Sequence, residues 1–431
     1  MDRENQLHPH PEAVFALIAQ LPGSVWLDGG RAGTTSLIAW NPVEVITDGD
    51  EWDKRGRELS ANGWVLGYLG YGAGHQVEQI PPEAPTPEPE IWLGQFDGVL
   101  RFDHSCSTWQ LEGSAAFQAR AQDLLDRAQP LAAPPAATPP TSVHTTHRER
   151  HEAAVECVLD WIAQGDCYQI SLTRPVYVRG AGDPWQTYRR LRRVSAPAYG
   201  AFIRLAPDLA VLSNSPELFI EVRDRHVRSV PIKGTRPRHA DPRMDHALSE
   251  ALRHSPKELA ELTMIVDLVR NDLGRVATPG SVVAAEREIV AHSTVHHAHR
   301  SVSAQLSDGL DCWSALAATF PPGSVTGAPK VRAARRISEL EDGPRGIYCG
   351  AIGYVAPNGD STWSVAIRTG VWNADVARFH VGGGIVWDSI PTDEWHETVH
   401  KAAAFRRAIG IEDASEVSAP ERGPARPSLL N

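Results

Sequence analysis

Residues 202–232 read FIRLAPDLAVLSNSPELFIEVRDRHVRSVPI, and this stretch decides the fold class. Four strand-like runs, FIRL, LAVLSN, LFIEV and HVRSVPI, are separated only by the short breaks APD, SPE and RDR. A parallel crossover needs a dozen or more residues, so neighbouring strands joined this closely pair as hairpins. The expected class is therefore α+β with antiparallel sheets, not a doubly wound parallel sheet.

Outward from that stretch, residues 1–128 carry a start helix, several short strands (SVWLDGG, SLIAW, VEVITD, WVLGYLGY, IWLGQFDGVLRF, STWQLEG) and an amphipathic run, AAFQARAQDLLDRA. Residues 129–146, QPLAAPPAATPPTSVHTT, are rich in proline and small residues that fill no core, and are expected to form an extended linker. From His147 a helix follows, RERHEAAVECVLDWIAQ, with Val155, Leu159 and Ile162 on its apolar side, then the strand CYQISLTRPVYV and further helices and strands to Ile411. That gives a 147–411 domain, while the polar, proline-rich residues 412–431 read as a disordered tail.

The chain has 431 residues with 42 Lys+Arg against 53 Asp+Glu, a formal charge of −11. Such a balance offers no basic field, which excludes nucleic acid or an anionic membrane as the main partner. No window reaches ~18 uninterrupted apolar residues and the first residues lack the order of a signal peptide, so a cytoplasmic protein is expected. The five cysteines form no CxxC pair, which points away from a disulfide framework or a thiolate metal site.

Two helical segments carry acidic pairs. In SPKELAELTMIVDLVRNDLGR, Glu258 and Glu261 are i,i+3 neighbours beside the apolar Ile265, Val266, Leu268 and Val269; in PTDEWHETVHKAAAF, Glu394 and Glu397 repeat the spacing, with Lys401 one turn on. Any one such pair is ordinarily a solvated face. Two together, with all-oxygen donors, suit a hard cation such as Mg²⁺ that bridges carboxylates to an anionic substrate. The run Gly382, Gly383, Gly384 precedes the second pair and can bring bare backbone against an anion, although GGG is more often a tight turn. PIKGTRPR puts Lys233 at a strand end before a Gly-Thr turn, with Arg236 nearby; if desolvated beside that positive charge it is a usable amine nucleophile, and otherwise a snorkelling surface lysine. Glu217 stands at the entry to LFI. In HSTVHHAH, strand alternation puts His297 and His299 on one face and His296 on the other, which favours a single hydrogen-bonding histidine over a zinc site.

Taken in order, GDCYQISLTRP, SNSPELFI, PIKGTRPR, ELTMIVDLVRNDLGRV, FPPGSVTGAPKVRA, RGIYCGAIGYV, AIRT and GGGIVWDSIPTDEWHETVHKA resemble the chorismate-utilising enzyme family over roughly residues 148–410. The N-terminal segment is similar to the corresponding part of the two-component aminating members. The resemblance implies an α/β sandwich of large antiparallel β-sheets with outer helices. Members that add water to chorismate carry a lysine base where this chain has Gln169. Members that form anthranilate usually read PIAGT, whereas PIKGT, with Lys233, is the pattern of those that form 4-amino-4-deoxychorismate, on the way to para-aminobenzoate and folate.

Residue by residue, the resemblance implies that Glu261 and Glu397 bind Mg²⁺, with Glu258 and Glu394 assisting through water. Gly382, Gly383, Gly384 and Lys401 would support the ring carboxylate of chorismate, and Tyr348 and Arg368 its enolpyruvyl carboxylate. Lys233 would attack C2 and Glu217 would protonate the departing C4 hydroxyl, after which ammonia enters at C4. Thr235, Ser324 and His297 fall on positions that line the site. No GxCxG-type cysteine site is present, so ammonia from glutamine would come from a separate glutamine amidotransferase subunit. Two alternatives stay open: anthranilate formation, and a catalytically silent chorismate-binding relative.

Overall fold

A computed structural model describes residues 9–30, 35–47, 51–195, 198–291 and 295–411. The deciding stretch forms two hairpins. Tyr199–Ala206 pairs antiparallel with Leu209–Ser215, and Leu218–Arg223 with His226–Val230. In the second turn Asp224 and Arg225 both take positive φ, 45° and 64°, the backbone hand that matches the twist of tightly joined strands.

The two hairpins belong to different sheets. Leu209–Ser215 lies inside an eleven-stranded sheet and Leu218–Arg223 inside a nine-stranded one. Pro216, which lacks the N–H a strand ladder needs, ends the first strand, and Glu217 sits at the crossing, 5% exposed. Leu212 faces a core under helices while Val211 faces the core between the sheets. Both faces of the strand are thus buried, which explains why LAVL reads as a continuous apolar run.

Every assigned pairing in the two large sheets is antiparallel, and helices cover their outer faces. One outer core gathers Phe15, Trp26, Trp185, Phe202 and Phe405; the other gathers Trp52, Phe219, Ile265, Val266 and Trp313. This is the sandwich expected from the sequence. A small third sheet, of Ile232–Pro237, Val295–His299 and Glu288–Ala291, stands apart from the other two.

Residues 129–146 do not divide the fold. Strand Ser24–Asp28 pairs with Tyr199–Ala206, and Trp64–Leu69 with Ala351–Val355, so strands from before that segment continue both sheets built by the strands that follow it. Its end, Ser142–Thr145, is a strand on Gln169–Arg179, and the carbonyls of Ala132 and Pro135 accept hydrogen bonds from Arg189 and Arg190. Proline-rich composition showed that the segment contributes little core; it did not show that the chain on either side folds as one body. The 412–431 tail lies outside the described residues.

Candidate active site

The glycine run occupies the end of strand Val376–Ile385, which runs antiparallel to Gln169–Arg179 with Gly383 opposite Leu172 and Gly384 opposite Ser171. The absence of side chains is a spatial requirement. A Cβ on Gly383 would lie 3.0 Å from a Glu394 carboxylate oxygen and 3.2 Å from one of Glu397. On Gly384 it would lie 2.8 Å from Gln169 Nε2 and 3.3 Å from Lys233 Nζ. Bare backbone therefore lets carboxylates and an ammonium reach the same strand end.

The second acidic helix, Pro391–Ile409, starts six residues after that strand, and its first two turns deliver Glu394 and Glu397. Glu394 is buried and accepts a 2.6 Å hydrogen bond from Ser389. Burial pushes its carboxyl up against the pull of that bond, and the charge of Glu397 adds to the rise. Glu397, half-exposed, pairs with Lys401 at 2.6 Å, and Lys401 also donates to Gly382 O at 2.8 Å. Desolvation pushes Glu397 up, but Lys401, Lys233 and Lys257 outweigh it and hold the carboxyl below the ordinary glutamate value.

The first acidic helix, Pro256–Gly274, is capped by Ser255, whose hydroxyl accepts from the Glu258 N–H. Arg236 holds the Glu258 carboxylate at 3.2 Å. Glu261, half-buried, is pushed up by desolvation; Lys233 opposes the shift, while Glu258 and Glu397 add to it. The last effect ties the two helices together, because charge on one raises an acid on the other.

Lys233 and Gly234 sit where the pairing between Ile232–Pro237 and Val295–His299 shifts register, a break in the ladder that can re-aim a side chain. Arg236, expected from sequence to press on the Lys233 ammonium, has a carboxylate partner of its own. Arg236 is committed to Glu258, and the Lys233 charge acts on the carboxylates of Glu217, Glu261 and Glu397. Glu217 accepts a 2.7 Å hydrogen bond from Ser324, and burial pushes its carboxyl up to about 7 against the pull of Ser324, Lys233 and Lys401. A carboxyl balanced near neutrality can donate a proton and recover it.

Thr235 lies opposite His297, its hydroxyl 3.0 Å from Nδ1. His296 turns away to Asp245 at 3.0 Å, and His299 has Glu288 at 3.6 Å. The alternation read from HSTVHHAH holds for these three, which go to separate partners; His292 lies outside the described residues. Tyr348 is buried and stacked on His380 with ring centroids 5.4 Å apart. Its neighbour Arg368 is drawn down by burial, and among the described residues its guanidinium makes no ion pair. A partly buried, unpaired arginine is a receptor for an anion.

Sequence reading left two residues outside the candidate set. Gln169 is fully buried beside Gly384 and Lys233, with neither amide atom hydrogen-bonded. Lys257 adds its charge to Glu261, Glu394 and Glu397. The signals were present in the register of CYQISL against GGGIV and in the i,i+4 spacing of Lys257 to Glu261.

Among the described residues no group of three or more His, Cys, Asp or Glu is gathered closely enough to hold a metal on protein ligands alone. The oxygen donors fit a hard dication that keeps waters and completes its shell from a substrate, the habit of Mg²⁺. Also among the described residues, no helix is long and apolar enough to cross a membrane.

The model of one protein family, described as chorismate binding enzyme, matches residues 13–407. The chain is 39% identical to aminodeoxychorismate synthase component 1 of Salmonella typhimurium over 80% of its own length and 76% of the relative's. It is 38% identical to anthranilate synthase component 1 of Pseudomonas putida over 81% of its length and 75% of the relative's. The crystal structure of anthranilate synthase component I from Streptococcus pneumoniae superposes with a TM-score of 0.77 at 29% identity, covering 87% of this chain and 92% of that one.

Proposed function

The chain belongs to the chorismate-binding enzymes, and from that premise we propose that it acts as an aminodeoxychorismate synthase component 1, converting chorismate and ammonia to 4-amino-4-deoxychorismate and water. Relatives of both names stand at almost equal identity, so overall likeness does not choose between amination at C4 and at C2. The observation that carries the choice is Lys233, whose Nζ approaches Gly384 beside Gln169 and whose charge is felt by Glu217.

In this reading Arg368, with Tyr348, takes the enolpyruvyl carboxylate, and the glycine run with Lys401 borders the ring carboxylate. Glu261 and Glu397 would hold Mg²⁺, with Glu258 and Glu394 behind them, and the ion would neutralise the ring carboxylate. The Lys233 amine forms a bond to C2 while the C4 hydroxyl leaves as water with the proton of Glu217. Ammonia then bonds to C4, the C2–N bond to Lys233 breaks and the free amine returns. Ser324 orients Glu217, and Thr235 with His297 walls the site. Gln169 stands in place of the lysine that activates water in hydrating members, so it supplies no base for water attack.

The name component 1 supports a two-component assembly, in which a separate glutamine amidotransferase subunit provides the ammonia. The reading places the enzyme in the cytoplasm, with its product directed towards para-aminobenzoate and folate. Anthranilate synthase is the second reading, favoured by the 38% relative. The test is turnover of chorismate with Mg²⁺ and ammonium, products identified by mass. Retention of the enolpyruvyl group supports C4 amination; release of pyruvate with a fluorescent aromatic acid gives the second reading.

A further inference from the structure

A small cavity of about 20 Å³ adjoins Glu217, and Ser229, Asp272, Thr319, Gly323 and Ser324 complete its polar lining. A single water needs roughly 10–15 Å³ and two to four polar partners, both of which are present. Asp272 in that lining belongs to an ion pair that the proposed chemistry leaves unused. Lys330 and Asp272, 6% and 5% exposed, meet at 2.8 Å, and Lys330 also donates to the Thr319 carbonyl at 2.7 Å. Removing two charges from water costs several kcal/mol per ion, so a buried pair is not explained by stability alone.

The pair joins three elements at one turn. Asp272 comes from the first acidic helix, Lys330 heads helix Lys330–Leu340 and Thr319 ends helix Cys312–Thr319. Between them lies the turn Gly323–Val325, packed so tightly on the acidic helix that a Cβ on Gly323 would meet Leu268 at 2.4 Å. Ser324, in that turn, donates the hydrogen bond to Glu217.

We propose that Asp272 and Lys330 are positioning residues for the general acid: they fix the Ser324 turn, and their charge balance keeps net charge off the side of Glu217 that faces the water-sized cavity. The proposal rests on Glu217 being the proton donor. Other charges act on the same groups: Lys233 from the Ile232–Pro237 strand and Lys401 from the second acidic helix on Glu217, Glu217 itself on the Cys349 thiol, and Arg275 and Glu78 on Asp272. The Asp272 and Lys330 variants below remove none of them.

The test is the pH dependence of kcat/KM for chorismate in the full chain with Mg²⁺ and ammonium, with rates expressed per concentration of free NH₃. Asp272→Asn keeps the shape and leaves Lys330 unbalanced; a positive charge favours the Glu217 carboxylate, so the alkaline limb moves to lower pH by about one unit. Asp272→Asn combined with Lys330→Met removes both charges and returns the limb to its wild-type position. A limb unmoved in the single variant, or not restored in the double one, overturns the proposal. Glu217→Gln is the control: if it abolishes turnover, the reading of the acid stands whatever the pair does, and if it turns over at the wild-type rate, that reading and this inference fall together. Should Asp272→Asn not fold, Lys330→Met alone leaves the Asp272 carboxylate unbalanced. A negative charge favours the protonated Glu217, so the limb then moves to higher pH, and an unmoved limb again refutes the proposal.

Discussion

The two acidic helices carry the same i,i+3 glutamate pair and make different electrostatic environments from it. On the second, Glu394 is buried against Ser389 and pushed up, whereas Glu397 is held down by Lys401, Lys233 and Lys257. On the first, Glu261 is pushed up and Glu258 is clasped by Arg236. Spacing puts two carboxylates on one face, but what each does depends on the cations that other elements bring to it. The pairs are therefore unequal partners, with Glu397 the more readily ionised donor.

The largest effect expected follows from removing that donor. Glu397→Gln should lower kcat/KM by roughly 10³-fold and weaken Mg²⁺ binding, measured by turnover and by calorimetry, because a metal that offsets developing charge contributes several kcal/mol. Glu261→Gln should behave likewise, and wild-type turnover in excess chelator would remove the metal from the reading altogether. Lys233→Ala comes next, since Lys233 acts on one acid of each pair as well as on Glu217. It should reduce 4-amino-4-deoxychorismate formation by about 10²–10³-fold, a loss of the size that accompanies removal of an activated group. Tracing products by mass would reveal any amination at C2, and wild-type rates from this variant would exclude the lysine as nucleophile.

A smaller effect sets Glu217 apart from Glu397, whose carboxyl is held down. The folded pKa of Glu217, about 7, lies above the ordinary 4.5, so the folded state holds the proton more tightly than the unfolded one. The stabilisation is fully present below pH 4.5 and is lost as pH rises through 7. Glu217→Gln should therefore unfold at higher denaturant than the wild type at pH 8, with the gap closing towards pH 4.5; a gap independent of pH would contradict a buried, neutral acid. Activity should fall over the same upper range, since the proton it donates is gone. The smallest effects are those of Glu258→Gln and Glu394→Gln. Each should weaken Mg²⁺ about 10–100-fold, the range for groups acting behind the direct ligands. Glu394→Gln should be the milder, because Ser389 can still donate to the amide oxygen while Arg236 loses its carboxylate in Glu258→Gln.

Much of this was legible in the chain. The breaks APD, SPE and RDR were too short for crossovers, so antiparallel sheets followed from length alone. The i,i+3 glutamates and the glycine run were local patterns, and local patterns survive folding because helix and strand periods fix which side chains share a face. The partner of Arg236 was not legible: it lies three residues from Lys233 in sequence, and only the fold brings its guanidinium to Glu258 on the adjacent helix. The 129–146 segment was misread as a divider for a related reason, since composition reports what a stretch can bury and carries no information on which strands pair across it.

Sequence by itself determined the class of fold, the family and the residue types at the site, because each rests on order and spacing along the chain. Only tertiary structure decided the electrostatics. Gly384 meets Lys233 across 151 positions, Ser324 meets Glu217 across 107 and Lys330 meets Asp272 across 58. No local pattern encodes such meetings; they arise when the chain crosses from one sheet to the other at Pro216 and helices close over both. Charges interact through space with a strength set by distance and by the water excluded between them, and both quantities exist only once the chain has folded.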